Sequence, residues 1–140
     1  MMPLSSETDL STPAGYRPKG RTIVVMPAYN AELYITSTIQ SIINQTYDNW
    51  ELIICNDCST DKTQSIIENF IAKDKRIKII NLSKNHGFPA APRNEAIKAA
   101  RGEWAAMCDA DDIWHPQKLE LQIECLQKNK AVFCSSKMYN

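Results

Sequence analysis

The chain has 140 residues, 44% hydrophobic and 23% charged, enough for one modest domain with a core. Lys and Arg number 16 and Asp and Glu 16, a balance that gives no electrostatic reason to bind nucleic acid or a membrane surface. No apolar run approaches the ~20 residues a membrane-crossing helix needs.

Residues 1–20 have neither the basic start nor the apolar stretch of a signal peptide, and their Ser, Thr, Pro and Gly content predicts a flexible leader. RTIVVM (21–26) reads as a buried strand stopped by Pro27. Residues 31–46 carry Ile35, Ile39, Ile42 and Ile43 at helical spacing. WELIIC (50–55) is a second strand, followed by the polar turn NDCSTD. Helix 60–73 comes next, with Asp61 near its positive end. RIKIIN (76–81) alternates as a half-buried or edge strand. A helix over 90–100 accommodates Pro92 in its first turn and is capped by Gly102. EWAAMC (103–108), a helix over 115–129 and a fifth strand, AVFCSS (131–136), complete the series. This alternation predicts an α/β fold over residues 21–140: a doubly wound, mostly parallel, Rossmann-like sheet with helices on both faces.

Five cysteines without a secretory signal point to reduced thiols in a cytoplasmic setting. Cys55 and Cys58 form a C-x-x-C with no second such pair. Cys55 reads as a small hydrophobe ending a strand, with a redox pair or half a zinc site as the alternatives.

In such sheets ligands bind beyond the carboxyl ends of the strands, where strand order reverses. Those ends carry PAYN, NDCS and CDADD. The first turn lacks the glycines of a dinucleotide fold or a P-loop, which argues against a nicotinamide dehydrogenase or an ordinary ATPase. Tyr29 offers a flat face for a base and Asn30 a polar cap; both could equally be structural. Asp57 could accept donors from a base or ribose, or close an Asx turn. Asp109, Asp111 and Asp112 repel one another unless a cation answers them, and Mg²⁺ or Mn²⁺ shared with substrate phosphates would do so. An EF-hand starting at Asp109 fails, because Ile113 and Trp114 fall at a liganding position and the required glycine. Asp112 serves the fourth helix as an upstream acid. Arg93 lies in the first turn of a helix, where the dipole disfavours a cation, and so points to a nearby anion: a phosphate, or the aspartate cluster. A receiver-like phosphotransfer domain would need acids after the first strand, and PAYN supplies none.

VVMPAYNAE, QTYDNWELIICNDCSTDKT, APRNEAIKAARGEW and CDADDIWHPQKLE together resemble the nucleotide-binding half of family 2 glycosyltransferases of the GT-A fold, over residues 22–125. The resemblance implies transfer of a sugar from a nucleotide-diphosphate donor to an acceptor hydroxyl, with inversion and help from Mn²⁺ or Mg²⁺. Pro27, Ala28 and Tyr29 would line the base pocket, Asp57 would bond the base, and Arg93 would belong to the nucleotide-sugar site. Asp109-Ala110-Asp111 would be the D-x-D element, with Asp111 the direct metal ligand and Asp109 beside it. Asp109 and the Ala110 backbone would face ribose and diphosphate. Asn56-Asp57 departs from the two adjacent acids common at that place, and the PAAPRN spelling varies a loop. The general base of such enzymes lies well downstream of D-x-D, so it is expected beyond Asn140. The chain therefore reads as a truncated, donor-binding fragment with little or no turnover unaided. The full-length enzyme would act on a saccharide or lipid-linked acceptor, in the cytoplasm or at the inner face of the membrane, in polysaccharide or glycoconjugate synthesis. The alternative is a non-catalytic nucleotide or nucleotide-sugar binding module.

Overall fold

A computed structural model of the chain describes residues 1–3 and 20–136. In chain order it contains β1 (Met2–Pro3), β2 (Thr22–Ala28), α1 (Ile35–Ile43), β3 (Trp50–Asn56), α2 (Thr63–Lys73), β4 (Ile77–Asn81), α3 (Ala90–Ala99), β5 (Trp104–Met107) and α4 (Lys118–Asn129). The strands form one sheet in the order β1-β5-β2-β3-β4. β5, β2, β3 and β4 run parallel, and β1 is antiparallel to β5. This is the expected doubly wound arrangement.

Every residue of β2 and β3 is buried, as strands covered on both faces must be. The alternation of side chains sorts them into two cores. Ile23, Val25, Ile53 and Cys55 face Ala96 of α3. Val24, Met26, Leu52 and Ile54 face the larger core, which Ile35, Ile39, Ile42, Ile67, Leu119 and Ile123 complete from α1, α2 and α4. α3 alone takes the opposite face for a topological reason. The chain winds outward from β2 to β4, then must cross beneath β3 and β2 to reach β5, and a right-handed connection in that reverse direction lies on the other side. The reversal falls between the carboxyl ends of β2 and β5, the place where such sheets form a ligand crevice.

Four local expectations are corrected. β2 does not stop at Pro27 but runs through it to Ala28. Val25 faces β5, since its carbonyl accepts from Cys108 N (3.0 Å), and so does Pro27 two residues on. The missing N–H therefore falls on the side where pairing with β5 has already ended at Val25↔Met107. Gly102 does not cap α3. The cap is Ala100 in an extended conformation, and Gly102 is required by close packing instead. Residues 131–136 form no strand. The outer edge of β5 is taken by β1, so the segment finds no strand to pair with there; it bonds Met1, through Met1 N to Cys134 O (3.0 Å) and Cys134 N to Met1 O (3.4 Å), and α4, through Lys118 Nζ to Ser136 Oγ (2.8 Å). Val132 and Phe133 stay exposed. The expected leader begins as a strand, Met2–Pro3, and its residues 4–19 lie outside the described residues.

Candidate functional site

The turn after β2 and the turn after β3 are built as one unit. Asn30 takes a left-handed conformation (φ 45°), which asparagine tolerates better than most side chains. There it does not cap α1; its N–H donates to Ser59 Oγ (3.1 Å) and its Oδ1 accepts from Thr60 N (2.8 Å). Ala31 N donates to Thr63 Oγ1 (2.8 Å). Asp61 accepts from Glu32 N (3.1 Å) and Thr63 N (2.9 Å), so one carboxylate serves the start of both helical segments. These bonds hold residues 31–34 in a turn, which is why α1 begins at Ile35 rather than at residue 31.

Asp57 follows directly. Its N–H donates to Ala28 O (2.8 Å), fixing it against the end of β2 and bringing two of the sequence-predicted residues together. Its carboxylate is buried and receives the loop after β4: His86 N reaches both oxygens at 3.0 Å, and His86 Nδ1 lies 3.0 Å from Oδ1. Asn85 Nδ2 donates to the Asp57 carbonyl (3.1 Å), and Gly87 turns the chain with φ 74°. His86 was not singled out for this site by the sequence reading. Nothing in its spacing links it to Asp57, because the contact is made across β4. Tyr29, directly after β2, is exposed.

On the other side of the crevice is the acidic loop. Residues 109–117 carry no regular structure and are positioned by polar side chains of α1 and by Gln45 just past its end. Thr38 Oγ1 donates to Ala110 O (2.9 Å), Ser41 Oγ accepts from Trp114 N (3.1 Å), and Gln45 binds His115 O (2.8 Å) and Leu119 N (3.0 Å). These residues are buried, and polar groups on the buried face of a helix are a signal the sequence did contain. Asp112 does not serve α4, which starts six residues later; its Oδ2 accepts from Asp109 N (3.3 Å). Cys108, buried just before the loop, is pushed far above the usual thiol range by burial and then by the neighbouring aspartates. The other member of the strand ends, Cys55, is pushed up to about 11 by burial. All five cysteines are free.

Arg93 finds its anion in the aspartate cluster. Its Nη2 donates to Asp109 Oδ1, joining α3 to the end of β5 across the sheet. Its Nε is buried without an acceptor. Asp111 is exposed and has no partner among the described residues. Among those residues no group of three His, Cys, Asp or Glu side chains converges as a metal cage. The donors nonetheless fit Mn²⁺ or Mg²⁺, hard cations commonly held by one or two carboxylates with substrate phosphates and water completing the shell. Asp111 and the second oxygen of Asp109 are the carboxylate atoms left for that role.

The strand-order reversal is flanked by a buried carboxylate after β3 and an arginine-braced acid cluster after β5, and the sequence that builds them matches a family model. Its description is glycosyl transferase family 2, and it matches residues 23–140. The chain belongs to that family. Among curated relatives, the Escherichia coli UDP-Glc:α-D-GlcNAc-diphosphoundecaprenol β-1,3-glucosyltransferase WfgD is 44% identical over 110 residues, which are 79% of this chain and 42% of the relative. The structure of S. aureus TarS in complex with UDP superposes with a TM-score of 0.74 at 33% identity, covering 79% of this chain and 33% of TarS. The mannosyltransferase PcManGT from Pyrobaculum calidifontis, solved with GDP-Man and Mn²⁺, gives 0.69 at 26% identity over 88% of this chain and 36% of that one. The fold is therefore the GT-A type of the family 2 glycosyltransferases. The chain spans about two-fifths of the length of its curated relatives. No described helix is long and apolar enough to cross a membrane.

Proposed function

We propose that this chain is the donor-binding portion of a glycosyltransferase that moves a sugar from a nucleoside-diphosphate donor to an acceptor hydroxyl, with inversion at the anomeric carbon. The observation that carries this reading is the Arg93–Asp109 pair beside a partnerless Asp111, at the switch point of a family 2 sheet. Pro27, Ala28 and Tyr29 wall the base site, and Asp57 supplies its acceptor. Asp109 and the Ala110 backbone face ribose and diphosphate, and Arg93, which holds Asp109, belongs to the same nucleotide-sugar site. Asp111 and Asp109 hold Mn²⁺ or Mg²⁺, which when bound supplies positive charge against the departing diphosphate. The acid loop is held still by α1, so this charge arrangement needs no reorganisation as the leaving group departs. Attack by the acceptor hydroxyl on the face opposite the diphosphate inverts the centre. The residue that takes the hydroxyl proton lies outside these 140, and the chain binds donor without turnover. A lipid-linked saccharide at the cytoplasmic face of a membrane is the acceptor class, by likeness to the E. coli relative's printed substrate. The whole protein then serves polysaccharide or glycoconjugate synthesis.

Calorimetric titration of UDP and GDP with Mn²⁺, and again with chelator, tests the reading. Binding is expected only with the metal, and Asp111→Ala should weaken it at least about tenfold, the loss of one charged interaction. A folded chain that binds neither nucleotide, or binds them equally well with chelator, would rule it out.

A further inference from the structure

The hydrogen bonds around Asp57 limit what the base site can read. A carboxylate offers about four acceptor positions, two on each oxygen, and donates nothing, so His86 Nδ1 carries the proton shared with Oδ1. The structure gives Oδ1 two donors, His86 N–H and the ring Nδ1–H, and gives Oδ2 one, the same bifurcated N–H. Oδ1 is full and one position remains on Oδ2. The side chain is only 5% exposed, so water supplies no alternative geometry. The Asp57 backbone is held through Asp57 N to Ala28 O and Asn85 Nδ2 to Asp57 O, and rotation of the carboxylate to present both oxygens would break its bonds to His86.

From this count we infer that His86 is a specificity-determining residue that restricts the donor to a pyrimidine with a single imide N–H, uracil or thymine. The inference rests on the donor-site reading above. An imide N–H needs one acceptor and finds it on Oδ2. Guanine presents two adjacent donors, N1–H and N2–H, which want both oxygens of a carboxylate at once. Here the imidazole holds the second oxygen, and guanine's amino group would be buried with its bond unmade. His86 acts through Asp57, so it is a positioning residue rather than a catalytic one.

The test is equilibrium binding of UDP, dTDP and GDP, each with Mn²⁺, to the wild-type chain, His86→Ala and His86→Asn. A urea midpoint for each variant establishes that it is folded. The wild type should bind UDP at least about tenfold more tightly than GDP, the discrimination one unmade donor contact gives. His86→Ala keeps the backbone N–H but frees Oδ1, so the UDP-to-GDP ratio should fall several-fold, mainly through tighter GDP. His86→Asn places an amide N–H where Nδ1 stood and should restore much of the ratio. dTDP separates the two imide bases: binding like UDP means the imide alone is read, and weaker binding means the ribose or the 5-position adds a filter. A wild type that takes GDP as tightly as UDP, or a ratio unmoved in folded His86→Ala, overturns the role of His86 and leaves the donor site standing. Absence of binding by all three nucleotides overturns the donor site and this inference with it.

Discussion

Gly102 is fixed by space rather than by backbone freedom. A Cβ there would stand 2.7 Å from the Arg21 carbonyl oxygen and 2.6 Å from Ile23 Cγ1, and a backbone oxygen cannot step aside as a side chain can. Gly102→Ala should therefore cost about 1–3 kcal/mol, the usual penalty of overpacking, read as a lower urea midpoint with an unchanged slope. A loss under about 0.5 kcal/mol would mean β2 and the start of β5 can move apart. The glycine was visible in the sequence, but its neighbours come from a strand some eighty residues earlier, so its role was misassigned to the nearest helix. Asn30 is the same lesson in a polar residue. Its type announced a turn, while its partners, Ser59 and Thr60, belong to the other loop.

Among the elements, α1 does two jobs with two faces. Ile35, Ile39 and Ile42 bury it against the sheet, and Thr38 and Ser41, with Gln45 just past its end, reach the acid loop. The apolar spacing made the helix legible. The polar set was present too, but which loop it would hold depends on β5 lying beside β2. Thr38→Val keeps the shape of the side chain and removes its donor to Ala110 O. The Ala110 carbonyl then loses a buried partner, at a cost of about 1–3 kcal/mol. Metal-dependent UDP binding should weaken about three- to tenfold in Thr38→Val while the fold persists, because the loop loses its anchor rather than its ligands. Unchanged binding in that variant would remove α1 from the positioning of the site.

For the molecule as a whole, stability should fall in acid through a small number of carboxylates. The hydrogen bonds from Arg76 hold Asp74 below its ordinary value; that arginine also lies 3.7 Å over the Trp50 ring. Burial works to raise Asp61, but its hydrogen bonds to Thr63 and Glu32 outweigh it, and it too is lowered. A carboxylate whose folded pKa is depressed contributes stability above its unfolded value, 3.8 here, and that contribution disappears as pH falls through the folded value. Asp74→Asn should cost about 1 kcal/mol at pH 7, and the gap from wild type should close as the pH drops below about 4. A gap that persists at pH 2 would assign the loss to packing instead. Composition, strand and helix periodicity and the strings PAYN, NDCS and CDADD determined by themselves the fold class, the family likeness and the sheet edge at which these polar strings gather. These are properties of residue type and local spacing, which a sequence displays directly. The structure alone decided that Arg93 meets Asp109, that His86 occupies Asp57, that α1 grips the acid loop, and that 131–136 forms no strand. Each of those depends on which strand lies beside which. Strand order is set by burial across the whole sheet, and no local window of the chain records it.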